Sequence, residues 1–318
     1  VTAPPIAALR FARTPPAIFP PILGLLGLGL AWRTGLTTFA LPPAAGEMLL
    51  GAACCLFLWA LTALMVKIAR RPAVLSEDLR ILPGRAGIGA AVISVYAFAG
   101  ALAPYAPDQA RPILLLGIAL HAAVAVLLVR HMILGPAPAR VVTPVWHLNF
   151  TGVIVGGLIA EALGLMDLAF VMFLLALPAA LAIWAVSLEQ VRRESVPAPL
   201  RPLLAIHSTP ANYLGFVALG LGWHGVAQGF ALLTAAMALA GLAGARWLTA
   251  GGFSPLWGAF TFPLTTMAAY WLSMGGVWRW PGLAVLLACT VIVPWIAFGI
   301  LRMWPDGRLA ARTNAATA

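Results

Sequence analysis

The sequence predicts an all-α, polytopic membrane protein: ten transmembrane helices in five helical hairpins, with kinked odd-numbered helices around a central pore and even-numbered helices outside. Three observations carry this. Apolar residues make up 62 % of the 318 and charged residues only 9 %, with a strongly positive mean hydropathy, a composition that needs lipid as its solvent. Several stretches reach the roughly 20 apolar residues that a bilayer core of about 30 Å demands without an internal charge. Finally, Ile113 to Val129 and Val226 to Leu242 are apolar on nearly all sides and rich in Leu and Ala, whereas barrel strands would alternate.

The spans lie between charge clusters and Pro/Gly breaks. The first, 16–34, follows Arg10 and Arg13 and contains Phe19-Pro20-Pro21, Gly24, Gly27 and Gly29. Its apolar run is at the long end for a signal-peptide core and no clear small-x-small site follows, so it reads as an uncleaved span. The second, 44–69, closes on Lys67, Arg70 and Arg71, and spans 85–105 and 111–134 end near Tyr105 and Arg130. Pro144, Gly152, Gly156 and Gly157 mark the fifth, 143–163; the sixth, 166–190, stops at Arg192 and Arg193. Spans 203–222, with Pro210, and 225–247, with Arg246, come next. The ninth, 254–276, holds Pro263, and the tenth, 281–303, ends on Arg302. Short connections leave no room for a separate soluble domain, so one membrane domain fills 1–318.

Basic residues test this segmentation. Of the nineteen Lys and Arg, all but Arg33, Arg111 and Arg279 fall on the side of the N-terminus, which predicts both termini in the cytoplasm and an even span count. The same asymmetry accounts for the net charge of +10 through topology and anionic lipid, and no basic run is dense enough for nucleic acid. Cys54, Cys55 and Cys289 offer neither a disulfide framework nor metal-ligand spacing and read as packing residues. With no phosphate-binding glycine loop, zinc-binding histidine pair or nucleophile elbow, neither an ATP-driven pump nor a hydrolase is expected, and no cofactor or metal is implied.

Pro20, Pro144, Pro210 and Pro263 fall in odd spans and are expected to kink them, because proline removes an intrahelical bond. Freed carbonyls must then face protein or water, which is why odd helices are placed inside; Pro178 and Pro294 are exceptions. Ionisable groups at depth are few. His121 reads as a hydrogen-bonded packing residue; Glu161 and Asp167 are expected to be solvated at an external turn. No chain of such groups suggests a proton relay.

The order of three segments resembles one family across the whole chain. Phe19-Pro20-Pro21-Ile22-Leu23-Gly24-Leu25-Leu26-Gly27-Leu28-Gly29-Leu30-Ala31-Trp32 is similar to the glycine-rich opening helix of the TehA and plant slow-type anion channel family, also called the tellurite-resistance and dicarboxylate transporter family. Leu200-Arg201-Pro202-Leu203-Leu204-Ala205-Ile206-His207-Ser208-Thr209-Pro210-Ala211 resembles its entry to the seventh helix. Trp257-Gly258-Ala259-Phe260-Thr261-Phe262-Pro263-Leu264-Thr265-Thr266 resembles its aromatic-Thr-Phe-Pro signature in the ninth.

The resemblance implies a homotrimer, each subunit with its own pore, plugged by a phenylalanine that matches Phe262. Where the family has a more apolar Pro-Pro type of sequence, this chain has Thr209-Pro210-Ala211-Asn212, which puts Asn212 forward as a contact for the permeating ion. Helix parity adds Phe19, Phe150 and Phe216 as pore-lining candidates. The implied function is an anion channel passing nitrate or chloride; the alternative is a secondary transporter exporting C4-dicarboxylate, sulfite or tellurite-type oxyanions, with His147, His207 or Asn212 holding substrate. A bacterial inner membrane is the expected location.

Overall fold

The computed structural model describes residues 11–318, so Arg10 lies outside the described residues. In chain order the helices are α1 (Phe19–Thr38), α2 (Ala44–Arg70), α3 (Ala73–Arg80), α4 (Leu82–Leu102), α5 (Pro107–Leu134), α6 (Val153–Ala162), α7 (Met166–Arg193), α8 (Ser208–Gly220), α9 (His224–Ala243), α10 (Ala245–Leu248), α11 (Gly258–Met274), α12 (Arg279–Leu301) and α13 (Arg308–Arg312). Seven of them, α1, α2, α4, α5, α7, α9 and α12, are long and apolar enough to cross a membrane. No strand occurs among the described residues.

Three of the ten expected spans differ from this pattern. Expected span 143–163 is a π turn at His147–Thr151 running into α6. Expected span 203–222 is a 3-10 helix, Ala198–His207, followed by the thirteen residues of α8. Expected span 254–276 begins with a 3-10 turn at Pro255–Trp257 before α11. Each irregular start carries or follows proline (Pro144, Pro199, Pro202, Pro255), which supplies no N–H to an i→i−4 ladder, so the α-helix begins late.

Packing arranges the helices in two layers. α1 packs on α11, α11 on α8, α8 on α6, α6 on α4, and α4 back on α1, closing a ring of five. Each ring helix also packs against the helix that follows it, namely α12, α9, α7, α5 and α2. Burial follows this layering: the apolar windows of α1 and α4 are 67 % and 83 % buried, against 17–39 % for α2, α5, α7, α9 and α12. The outer helices present Leu115, Leu116, Leu174, Leu175, Leu239 and Phe298 to the surroundings, the apolar surface that lipid would cover. Cys55 is exposed on α2, and Cys289 is buried in α12.

At the end of the bundle that carries most of the arginines, the last residues of the chain meet the segment around Ala12. Lys67 is fully buried, its Nζ donating to Asp78 Oδ2 at 2.7 Å and to the Thr14 carbonyl at 3.1 Å. Asp78 Oδ1 accepts the Ala316 N–H at 2.8 Å, Arg71 Nε donates to the Thr317 carbonyl at 2.9 Å, and the Ala318 N–H reaches the Ala12 carbonyl at 3.0 Å. The ion pair therefore ties the last residues to α2, α3 and the segment leading into α1.

Candidate functional site

Every ring helix sends one stripe of side chains inward at the 3-4-3-4 spacing that keeps residues on one helical face. On α1 the stripe is Leu23, Gly27, Leu30 and Thr34, preceded by Pro20; on α11 it is Ala259, Phe262, Thr266 and Ala269; on α8 it is Thr209, Tyr213, Phe216 and Gly220. Ala86, Ala90, Ala97 and Gly100 serve on α4, and Val155, Leu158 and Ala162 on α6. From Pro20 to Thr34, fourteen helical steps of about 1.5 Å carry the α1 stripe about 21 Å along the ring axis.

These stripes line two cavities in series. The one at the arginine-rich end is narrow, about 30 Å³, and apolar apart from Thr209; its walls include Pro20, Leu23, Ala86, Ala90, Leu203, Ala259 and Phe262. The opposite one is about 460 Å³ and includes Gly27, Arg33, Thr34, Glu161, Tyr213, Phe216, Thr266 and Ala269. Phe262 belongs to the narrow cavity, while Gly27 and Tyr213 beside it belong to the wide one. The junction is therefore the Phe262 ring, which is 3 % exposed.

Local sequence explains why that ring sits there. Its centroid lies 5.8 Å from that of Tyr213, with the planes 27° apart, a stacked pair. On the neighbouring helix α1, Gly27 leaves its place: a Cβ there would stand 3.1 Å from Phe262 Cδ2 and would collide with Thr265 Oγ1. Thr261 Oγ1 donates to the Gly258 carbonyl at 2.7 Å and lies 3.0 Å from the Pro20 carbonyl, holding α11 against α1 one residue before the ring. Asn212 Nδ2 donates to the Pro263 carbonyl and Thr266 Oγ1, both at 3.2 Å, fixing α8 to α11 one residue after it.

The expected candidates separate accordingly. Phe262 and Phe216 line the cavities. Phe19, Phe150 and Asn212 line neither: Phe19 is buried edge-on against Phe57 of α2, Phe150 packs on Trp146, and Asn212 is fully buried in its clamp. Parity identifies a helix, but only rotation about its axis says which face looks inward. Among the four prolines, Pro263 alone lies in an α-helix interior. Pro20 is in the first turn of α1, Pro210 in that of α8, each directly after a 3-10 helix, and Pro144 is in the turn before the π segment.

Sequence reasoning missed the wide cavity's charged groups. Glu161, expected in solvent, instead lies at the cavity wall over Gly220, where any Cβ would collide with its carboxylate, and its Oε1 has no hydrogen-bond partner among the described residues. Arg33 makes a two-pronged pair with Glu47, Nε to Oε1 at 2.5 Å and Nη2 to Oε2 at 2.7 Å, and donates to the Gly100 and Ala101 carbonyls at 3.0 Å. Arg33 and Glu47 are fourteen residues apart across a turn, a separation with no local signature in sequence.

His147, His207 and His121 are engaged away from the two cavities. His147 Nε2 and His207 Nδ1 are 3.0 Å apart, and neither residue lines a cavity. His121 is buried with its Nε2 3.1 Å from the Asn149 carbonyl, as a packing histidine would be.

Comparison with known proteins then bears on this lumen. The family model SLAC1, described as voltage-dependent anion channel, matches residues 13–301. No curated protein matches the chain.

Proposed function

Because the chain belongs to the SLAC1 family of voltage-dependent anion channels, we propose that it is an anion channel whose conduction path is the two cavities in series, closed where they meet by the Phe262 ring. The reading rests on Phe262 lining the narrow cavity while Gly27 and Tyr213 beside it line the wide one, with α1, α4, α8 and α11 contributing to both. An apolar constriction of this kind gates by excluding water.

Anions entering such a passage shed hydration, which is its chief barrier, so nitrate and iodide pass ahead of chloride. Arg33 at the wide cavity supplies a positive field, partly offset by Glu47. Carrier chemistry would need polar side chains free to grip an oxyanion. His147 and His207 bond to each other, and Asn212 is held by Pro263 and Thr266, which favours the channel over an exporter of dicarboxylate, sulfite or tellurite-type oxyanions.

Ten crossings, with the shorter helices α6, α8 and α11 completed by their π and 3-10 leaders, fit the succession of helix ends and the basic-residue asymmetry. That asymmetry puts both termini in the cytoplasm, and a bacterial inner membrane is the location it suits. A homotrimer is the assembly that the resemblance to TehA implies, with lipid covering the remaining outer-helix surface.

Anion flux per protein in liposomes, with nitrate, chloride and malate in turn, tests the reading. Flux above any carrier turnover in the order nitrate over chloride over malate is expected. Saturating, malate-selective flux at carrier rates would overturn it.

A further inference from the structure

A third cavity, about 760 Å³, lies outside the ring at the arginine-rich end, between α3, the start of α4 and the end of α5. Arg80, Arg85, Arg130 and His131 line it, and no carboxylate does. The two acids of α3 are already engaged, Glu77 by Arg71 and Asp78 by Lys67, each at 2.7 Å.

Arg85 is the informative residue. It is 8 % exposed, and its Nε and Nη2 donate to the Leu79 and Arg80 carbonyls at 3.2 and 3.5 Å, so the guanidinium is oriented by backbone. Among the described residues neither Arg85, Arg80 nor Arg130 makes an ion pair. A buried cation without a counter-ion is costly, and three guanidinium groups around one space match the several oxygens of a phosphate. The remaining wall includes Leu127 and Leu134, and the adjoining face of α5 exposes Val126 and Ile133, continuing the cavity onto the surface that lipid would cover.

We propose that this cavity binds a phosphate group, and that its source is the headgroup of an anionic phospholipid whose acyl chains lie along α5. The arginines supply the charge-assisted hydrogen bonds and the leucines the apolar flank, the pattern expected of lipid-headgroup sites between helices at the basic side of a membrane protein.

The test uses the full chain in neutral detergent with three probes: dioleoylphosphatidylglycerol, dioleoylphosphatidylcholine and inorganic phosphate. Binding is read by native mass spectrometry and by the thermal unfolding midpoint. Phosphatidylglycerol should bind and raise the midpoint, phosphatidylcholine should not, and the exposed double variant R80Q/R130Q should bind phosphatidylglycerol at least about tenfold more weakly, since a lost charge-assisted bond is worth roughly that. R85Q should abolish binding; because Arg85 also holds two carbonyls, the double variant decides the matter if R85Q fails to fold. Inorganic phosphate that competes with the lipid and shows the same dependence on the arginines supports the phosphate site and assigns it to a solution anion. Equal binding of phosphatidylcholine, or lipid and phosphate binding unchanged in R80Q/R130Q, overturns the proposal.

Discussion

If Phe262 is the proposed gate, replacing it by alanine removes the ring at the junction of the two cavities, and the effect follows from what holds that ring in place. Swinging it aside in the native protein forfeits its stack with Tyr213, worth about 0.5–1.5 kcal/mol, and the burial of a side chain that is 3 % exposed, worth about 1.5–3 kcal/mol. The closed position is thus favoured by about 2–4.5 kcal/mol. At 1.36 kcal/mol per decade, the alanine variant should conduct about 30- to 2000-fold more than the native protein at equal protein number. Planar-bilayer recording in symmetrical nitrate, with the amount of inserted protein measured in parallel, reads this directly. The same substitution costs about 3–5 kcal/mol in a closed core, so a monodisperse size-exclusion profile is the control. Conductance unchanged in well-folded F262A would refute the reasoning, because no barrier of the calculated size could then reside in that ring.

Further expectations concern the ring's neighbours and the charges. Tyr213→Ala removes the stack but not the ring, so conductance should rise by only about 2- to 13-fold, the equivalent of about 0.5–1.5 kcal/mol; a larger rise than in F262A, measured in the same bilayers, would put the barrier at Tyr213. Glu47→Gln leaves Arg33 uncompensated at the wide cavity. A unit charge acting through water over several ångströms is worth about 0.5–1 kcal/mol, so nitrate current should rise about two- to fivefold at low salt and converge on native values at 1 M, where screening is short-ranged. Asp78→Ala strands Lys67 and frees the Ala316 N–H; destabilisation of about 3–5 kcal/mol is expected, and the double variant Lys67→Met/Asp78→Leu should recover most of it, as thermal unfolding of the three proteins would report.

How far the sequence carried this account depends on what each signal measures. Composition and charge asymmetry report on solvent, and the helices α2, α5, α7, α9 and α12, which face outward, were legible to within a few residues. The ring segments were harder. Their bounds shift where Pro144, Pro199, Pro202 and Pro255 delay the α-helix, and whether such a proline bends a helix or starts one depends on whether the preceding turn is already helical. At Pro20 and Pro210 the preceding turn is already a 3-10 helix, Pro16–Ile18 and Ala198–His207, and the proline falls in the first α turn that follows it. Phe262 and Phe216 line the cavities while Phe19 and Phe150 line neither, because the inward face depends on contacts such as Thr261 with Pro20, 241 positions apart, and Phe19 with Phe57. Glu161 was read as solvated since it stands near a helix end; only Gly220, supplied by another helix, makes room for it over the cavity. The resemblance drew attention to Phe262, but it did not indicate Tyr213, although that residue follows Asn212 directly and stands one helical turn after Thr209 on the inward face.

Access to the α11 stripe from the two sides of the membrane tests the central claim most directly. With Cys54, Cys55 and Cys289 replaced, a cysteine at Ala269, in the wide cavity beyond Phe262, is exposed in sealed vesicles to a small charged thiol reagent added to one side at a time. Labelling should come only from the side of Arg33 when Phe262 is present, and from both sides once it is alanine. Labelling of the Ala269 cysteine from the arginine-rich side with Phe262 intact, or no added access after its removal, would contradict a passage closed by that ring.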